Sequence, residues 1–263
     1  MKKLFIEIDN KQIRVLALPM VMWHFPTIQN LENQYLKCTA ESVLIKQSFF
    51  DNKQSVDNVC RYQLIIENSN YHLEKFIDRE PIFSNSKFND HYISILDELP
   101  SIGIILESPH IKEFTDEFQP ISPAQGETGK NIEAFLLPLI KLINAQHYAF
   151  KKSRYRILIL NPIPFQTSLY YFHKQPLRKN NKNSGFETLR NDVWQTLWFN
   201  KTSIKINFIV NIKTNKIDLI LNCCTANLFE YVNDSLVGLK IPIINCYHPS
   251  RWDKLEIIQI IKT

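Results

Sequence analysis

Three short polar turns in the second half of the chain carry side chains that could take part in hydrolysis. They are Glu-Ser-Pro-His at residues 107–110, Asn-Pro at 161–162 and His-Pro-Ser at 248–250. The carboxylate of Glu107 can orient or deprotonate a water molecule, and His248 can donate a hydrogen bond to negative charge that develops on a leaving group. The amide of Asn161 can both donate and accept hydrogen bonds, so it can recognise a polar ligand. Each residue also has a structural alternative: a loop-anchoring carboxylate, a cap histidine and a turn-forming asparagine.

Each of these turns follows a short apolar run that we predict to be a buried parallel strand. The four predicted strands are residues 102–106, 157–160, 219–221 and 243–247. Segments with helical spacing lie between or after them, at residues 131–145, 186–199, 226–232 and from 251 onward. Strands that alternate with helices predict an α/β fold, in which ligands bind beyond the carboxyl ends of the parallel strands. We therefore expect the three polar turns to meet at one edge of the sheet.

The first hundred residues have a different pattern. Apolar residues alternate over 4–8 and 13–17, which predicts a hairpin. From residue 27 to about 99 the apolar spacing is closer to that of helices. The sequence thus predicts two domains, a mostly helical N-terminal extension with a hairpin over 1–100 and a catalytic domain over 101–263.

Composition and charge narrow the class of protein. The formal net charge is +5, with 44% hydrophobic and 22% charged residues, which fits a globular chain that favours polyanions. The five cysteines form no Cys-x-x-Cys pair, and an odd number leaves one unpaired, so we expect a reduced cytoplasmic protein without a metal or other cofactor. Glu7 and Asp9 interrupt any signal peptide, and no apolar run is long enough to span a membrane.

Glycine is scarce and unevenly placed. Three of the five glycines, Gly103, Gly126 and Gly129, lie in the first predicted strand or the loop after it. Gly126 and Gly129 could allow the backbone to approach a phosphate or base closely, with Lys130 opening the next helix. An ordinary turn that enters a helix is the alternative.

Four motifs in this order resemble the uracil-DNA glycosylase superfamily. They are Leu-Glu-Ser-Pro-His at 106–110, Pro-Ala-Gln-Gly-Glu-Thr-Gly at 123–129, Leu-Ile-Leu-Asn at 158–161 and His-Pro-Ser at 248–250. The first resembles the family's water-activating turn, and the last resembles its His-Pro-Ser loop. The likeness runs from about residue 103 to 252, and each motif taken alone is common by chance.

The resemblance implies a three-layer α/β/α sandwich with a central four-stranded parallel sheet. It also implies a monofunctional DNA N-glycosylase, which flips a nucleotide out of double-stranded DNA and leaves an abasic site. By this likeness Glu107 matches the glutamate of the iron-sulfur branch, Asn161 the asparagine that reads the base, and His248 the donor to the departing base. The implied partner is DNA, with water as the nucleophile and no membrane or small-molecule cofactor.

The residues expected to line the base pocket include two departures from the family. The expected pocket consists of Ser108, Pro109, His110, Ala124 and Gln125. Ser108 stands where other branches carry a catalytic Asp or Asn, and Ala124 stands where an aromatic residue normally stacks on the flipped base. The smaller residue predicts a wider pocket. The cysteines do not flank these motifs, so we expect no iron-sulfur cluster.

A further set of residues is expected to contact DNA. It comprises Gly126, Gly129, Lys130, Lys174, Arg178, Ser250, Arg251 and Trp252. Trp252 follows the His-Pro-Ser loop, where the family inserts a wedge into the duplex, but it could equally anchor the C-terminal helix. The aromatic and basic tract at 170–182 is either a DNA-backbone contact or a solvated loop.

Several functions fit these expectations. The wide pocket, the unusual Ser108 and the N-terminal region favour excision of a bulky modified pyrimidine. Some relatives in the superfamily are antiphage enzymes that remove glucosylated hydroxymethylcytosine from viral DNA. Uracil repair is one alternative, and a non-catalytic DNA-binding relative is another.

Overall fold

The computed structural model describes residues 3–15, 34–75, 98–173, 185–225 and 227–254. The chain divides into two compact units. Unit 1 comprises the described residues within Met1–Val56, Ser108–Pro120 and Ile163–Ile206, and unit 2 those within Asp57–Glu107, Ile121–Pro162 and Asn207–Thr263. The chain passes between the units five times, so neither is a continuous stretch and the division does not follow residue 100.

Ten strands and five α-helices lie in the described residues. The strands are β1 (Lys3–Ile8), β2 (Lys11–Arg14), β3 (Leu36–Cys38), β4 (Ser42–Ile45), β5 (Val59–Glu67), β6 (Asn70–Lys75), β7 (Ser101–Ile105), β8 (Arg154–Leu160), β9 (Ile217–Asn222) and β10 (Ile243–Asn245). The helices are α1 (Glu127–Gln146), α2 (Tyr170–His173), α3 (Gly185–Asn200), α4 (Thr202–Thr214) and α5 (Phe229–Leu236). Short 3-10 turns cover Gln47–Phe50, Asn52–Gln54, Ile111–Glu113, Val237–Leu239 and Pro249–Lys254. None of the described helices is long and apolar enough to cross a membrane.

Unit 1 contains a four-stranded sheet in the order β2-β1-β4-β3. Strands β1 and β2 form the predicted hairpin, and Ile8 pairs with Lys11 next to the turn. The two turn residues, Asp9 and Asn10, both have positive φ, which matches the twist of flanking strands in a tight hairpin. Buried aromatic rings form part of this unit's core, as in the stacking of Phe49 on Phe118 at 4.8 Å.

Unit 2 contains a six-stranded mixed sheet in the order β10-β9-β7-β8-β5-β6. The four strands from β10 to β8 are parallel neighbours, and β5 and β6 continue the sheet as antiparallel strands. The α/β class is thus confirmed, but the predicted sheet is corrected from four parallel strands to six strands in a mixed arrangement. The extra strands come from residues before 100, because β5 pairs along β8 from Val59↔Ile159 to Ile65↔Arg154.

The prediction of a mostly helical N-terminal region is wrong for the residues that form β3 to β6. Apolar residues in β5 occur both in alternation and in pairs, and this irregular spacing resembles that of a helix. The strand is instead stabilised by two neighbours, and Asn68 and Ser69 turn it tightly into β6 with positive φ. Pairing across the sheet overrides the local pattern here.

The centre of unit 2 is built on β7. All five of its residues are buried, as expected for a parallel strand covered on both faces. Gly103 lies at its middle, where a Cβ atom would come within 3.0 Å of the Ile217 and Leu160 side chains. Glycine therefore permits the close approach of the side chains from neighbouring strands.

Helix α1 packs its apolar side into the same core. Its buried apolar residues recur every three or four positions: Ile132, Leu136, Leu139, Ile140 and Ile143. They join strand residues such as Ile102 and Ile104 in one hydrophobic cluster. The predicted helices at 131–145 and 186–199 thus correspond to α1 and α3, and α5 begins later than predicted. Helix α4 was not predicted, and the described part after residue 251 is a 3-10 turn.

Candidate functional site

Four loops of unit 2 leave the same edge of its sheet. Because β7, β8, β9 and β10 are parallel, their carboxyl ends lie at one edge. Glu107 follows β7, Asn161 follows β8 directly, and His248 follows β10. The fourth loop, after β9, brings Thr225 to this edge. The structure therefore brings the three predicted catalytic positions to one edge of the sheet.

The carboxylate of Glu107 is held by the loop after β9. Glu107 is only 4% exposed, and its Oε1 accepts a hydrogen bond from the backbone N–H of Thr225 at 2.7 Å. One residue earlier in each loop, the Cys224 thiol donates to the Leu106 carbonyl at 2.8 Å. These two contacts connect the loops after β7 and β9. They fix the orientation of the Glu107 carboxylate.

The ring of His248 is oriented by its own loop. Its Nδ1 accepts a hydrogen bond from the backbone N–H of Ser250 at 3.2 Å and lies 2.9 Å from the Ser250 hydroxyl. A backbone N–H can only donate, so Nδ1 carries the lone pair. In the neutral ring the proton is then on Nε2, which makes Nε2 a hydrogen-bond donor.

Asn161 is buried, and its side-chain amide makes no hydrogen bond to any described residue. Its backbone N–H donates to Asn58 Oδ1 at 3.2 Å, which ties the end of β8 to the residue before β5. The side-chain Oδ1 and Nδ2 are both buried, and neither has a hydrogen-bond partner among the described residues. No other described amide has both polar atoms in this state. A buried amide without partners is unfavourable, and such groups occur where a ligand binds.

The other buried asparagines at this edge provide a contrast. Asn222 Nδ2 donates to Asn233 Oδ1 at 2.8 Å, and Asn233 Nδ2 donates to Asn245 Oδ1 at 3.1 Å. Asn222 Oδ1 accepts from the backbone of Cys224 at 3.1 Å. These amides connect β9 and β10 to α5 and are structural. The amide of Asn161 takes no part in such bonding.

The loop before α1 is supported by a buried arginine that the sequence analysis did not single out. Arg61 on β5 is fully buried, and its guanidinium donates to the carbonyl oxygens of Pro123 and Ala124 at 2.5 and 2.9 Å. It also donates to the Ser122 hydroxyl at 3.1 Å. An arginine within a largely apolar segment is a signal that could have identified it, since a buried charge needs polar partners.

Ala124 does not have the surroundings expected of a widened pocket. Its side chain is fully buried in the hydrophobic core of unit 2, and its φ is 56°. This packing does not support the predicted wide pocket. The next residue, Gln125, is half-buried and donates to the Ser122 hydroxyl.

Helix α1 begins at Glu127, earlier than predicted, so Gly129 and Lys130 lie in its first turn instead of in the loop before it. Gly126 stands at the start of the helix with φ of 75°, a conformation that favours glycine. Gly129 is buried in the first turn. Lys130 is exposed and lies 3.9 Å from Glu127, an exposed pair that contributes little to stability.

The three residues after His-Pro are in different environments. Ser250 orients His248, and Arg251 is exposed with its guanidinium 5.7 Å from the centre of the Tyr247 ring. Trp252 is fully buried, and its indole N–H donates to the Tyr247 carbonyl at 2.7 Å. For Trp252 the structure therefore favours the anchoring alternative over the DNA wedge.

Five predicted site residues are not in the described part of unit 2. Ser108, Pro109 and His110 belong to unit 1, where the Ser108 hydroxyl is 2.7 Å from that of Thr167 and His110 is exposed. Lys174 and Arg178 lie outside the described residues.

The buried cysteines at this edge are packing residues. Cys223, Cys224 and Cys246 form no disulfide and have almost no exposed surface. Burial raises the pKa of the Cys223 thiol well above its usual value. The described residues contain no group of three or more histidine, cysteine or acidic side chains that could hold a metal.

No family model, curated protein or solved structure matches this chain. The sequence analysis did not single out Thr225, Arg61 or Asn58, which hydrogen-bond to Glu107, the loop before α1 and Asn161 respectively.

Proposed function

We propose that this protein is a monofunctional DNA N-glycosylase of the uracil-DNA glycosylase type. It would bind double-stranded DNA, flip out a modified pyrimidine nucleotide and hydrolyse its N-glycosidic bond, leaving an abasic site. The observation that carries the proposal is the amide of Asn161, which is buried at this edge of the sheet and whose two polar atoms have no hydrogen-bond partner among the described residues. The edge of a flipped base would supply the missing donor and acceptor.

The amide of Asn161 suits more than one pyrimidine. Uracil presents an N–H donor next to a carbonyl acceptor, whereas cytosine presents a ring-nitrogen acceptor next to an amino donor. A half turn of the amide exchanges its oxygen and nitrogen and so matches either pattern. Because no hydrogen bond to a described residue fixes the amide, we include cytosine-type bases among the substrates. Glucosylated hydroxymethylcytosine is then one candidate, and uracil is the alternative.

The other two side chains supply the remaining chemistry. As the glycosidic bond breaks, the electron pair moves onto the base, and Nε2–H of His248 would donate to the resulting anion. Glu107 would take a proton from the attacking water and stabilise the positive charge that develops on the sugar. The contacts of Ser250 with His248 and of Thr225 with Glu107 support these roles, since they hold each group in one orientation.

Three finer features also belong to this proposal. A three-layer α/β/α arrangement around the sheet and a role in antiviral defence come from the resemblance. A cytoplasmic location is consistent with the lack of any disulfide among the five cysteines, all of which are described. The proposed glycosylase activity does not depend on these three features.

A panel of duplexes tests the proposal. The purified chain is incubated with DNA containing uracil, hydroxymethylcytosine or glucosylated hydroxymethylcytosine, and alkali then cleaves any abasic sites. We expect strand breaks with at least one base, and Glu107→Gln should lower the single-turnover rate about 100-fold or more. The matched control is Glu117→Gln, since Glu117 is exposed. Binding of all three duplexes without any strand breaks would contradict the proposal and indicate a non-catalytic DNA-binding module.

A further inference from the structure

The loop after β9 contains a second buried polar group that the family resemblance does not assign. The hydroxyl oxygen of Thr225 is buried and has no hydrogen-bond partner among the described residues. The backbone N–H of the same residue donates to Oε1 of Glu107 at 2.7 Å. Thr225 therefore holds the Glu107 carboxylate through its backbone, while its side chain has hydrogen-bonding capacity that no described residue uses.

The geometry of a threonine limits how far this hydroxyl can be from the carboxylate. Staggered rotamers place Oγ1 about 3 to 4 Å from the nitrogen of the same residue. Given the 2.7 Å hydrogen bond, Oγ1 lies within about 7 Å of Oε1. A single water that bonds to two oxygens spans up to about 5.5 Å. The separations that this limit allows include those that one water, or one hydroxyl of a substrate, spans between two oxygens.

We propose that Thr225 is a catalytic residue whose hydroxyl holds the nucleophilic water together with Glu107. This inference rests on the proposed glycosylase activity and adds a residue to it. The Thr225 hydroxyl accepts a hydrogen bond from one O–H of the water, and the Glu107 carboxylate accepts the other. The water oxygen then has a lone pair to direct at the sugar carbon.

The step is balanced in atoms and electrons. The water oxygen forms a bond to C1′ of the sugar as the bond from C1′ to the base nitrogen breaks. The electron pair of the broken bond leaves with the base, and one water proton moves to the Glu107 carboxylate. The product is an abasic sugar with a hydroxyl at C1′. Thr225 gains and loses no proton in this step.

The test compares two variants at this position. Thr225→Val removes the hydroxyl, keeps the shape and retains the backbone N–H that binds Glu107, whereas Thr225→Ser keeps the hydroxyl. With the best base of the duplex panel, we expect Thr225→Val to lower the single-turnover rate about 10-fold to 100-fold, with unchanged DNA affinity. Thr225→Ser should stay within about 3-fold of the wild-type rate. Thr214→Val is the matched control, because Thr214 is exposed and its hydroxyl donates to the Val210 carbonyl within α4.

A second readout separates a role in holding water from a role in folding. In buffer with added methanol, the alcohol competes with water and forms a methyl glycoside, which resists the alkali that cleaves an abasic site. Thr225→Val should form a larger share of methyl glycoside than the wild type, because water loses one of its two fixed partners. If Thr225→Val has a much lower melting temperature than the wild type, Thr225→Ala replaces it in both assays.

The outcomes distinguish this inference from the proposed function. If the wild type excises none of the bases, the proposed glycosylase function fails and the inference fails with it. If the wild type is active, full activity of Thr225→Val would overturn the inference alone. An equal loss in Thr225→Ser, or an unchanged share of methyl glycoside, would also overturn it.

Discussion

The polar contacts of single residues at the site edge are made largely by backbone groups. Ser250 N–H binds His248 Nδ1, and Thr225 N–H binds the Glu107 carboxylate. Backbone groups have little freedom within a packed loop, so these side chains are oriented before any ligand arrives. Pre-orientation of this kind lowers the cost of reaching a transition state.

The first prediction concerns His248. Replacing it with alanine should lower single-turnover excision about 100-fold to 1000-fold, because Nε2–H would stabilise charge that exists only as the bond breaks. DNA affinity should stay nearly unchanged for the same reason. The measurements are single-turnover rates and equilibrium binding to an uncleaved duplex. His147→Ala, at an exposed position after α1, is the control. Equal losses of rate and affinity would argue for a role in binding alone.

The second prediction concerns thiol reactivity. Only the thiolate form of cysteine reacts quickly with an alkylating reagent, and burial raises the pKa of Cys223. At pH 8 Cys223 therefore has a smaller thiolate fraction than an ordinary cysteine, and it is also inaccessible. Iodoacetamide should modify the exposed Cys38 in the native chain and reach Cys223 only in denaturant. Peptide mapping by mass spectrometry measures this, and rapid native labelling of Cys223 would contradict the buried packing.

At the scale of elements, α1 contains a residue that is unfavourable inside a helix. Pro138 lies inside this helix at an exposed position and has no N–H to donate to the carbonyl one turn earlier. The helix is retained because its opposite side is buried in the core of unit 2. Tertiary packing here offsets an unfavourable local residue.

The third prediction concerns Pro138. Pro138→Ala should raise the free energy of unfolding by about 1 to 2 kcal/mol. The alanine restores a helical hydrogen bond, but it also increases the conformational entropy of the unfolded chain, which offsets part of the gain. The melting temperature should rise by a few degrees. Pro242→Ala is the control, because Pro242 lies outside the helices and should bring no gain. A lower melting temperature for Pro138→Ala would show that the proline is needed where it stands.

The elements differ in how well the sequence predicted them. Strands β7 to β10 and helix α1 were predictable, because buried apolar runs and helical spacing are local signals. Strand β5 was not, since Arg61 and Gln63 interrupt its apolar pattern and its stability comes from pairing with β8. The loop positions of Glu107, Asn161 and His248 followed from the predicted strand ends. The role proposed for Thr225 depends on a contact with Glu107, which is distant in sequence and gives no local signal.

At the scale of the whole molecule, the chain builds each unit from three separate segments. Unit 1 takes residues directly after Glu107 and directly after Pro162, and unit 2 takes β5 and β6 from before residue 100. A cut at residue 100 thus removes strands from both units. The predicted catalytic domain at 101–263 is not a unit of this structure.

The fourth prediction tests this dependence. The fragment 101–263 should lack the cooperative thermal unfolding of the full chain, because it exposes the edge of β8 and loses the support of Arg61 for the loop before α1. The fragment 57–263, which restores β5 and β6, should come closer to the full chain. Circular dichroism during heating measures both. A melting curve for 101–263 that equals that of the full chain would contradict the prediction.

The order of strands in the unit 2 sheet also affects how the protein is made on the ribosome. Of the strands in this sheet, β5 and β6 are synthesised first, but among the described residues β5 reaches the parallel strands through β8, which ends at Leu160. At a synthesis rate of about 5 to 20 residues per second, the early hairpin waits on the order of 5 to 20 s for its neighbour. During that time the side of β5 that later pairs with β8 is open to other nascent chains. The amount of protein recovered from cells should therefore depend on translation speed and on chaperones that bind exposed strands.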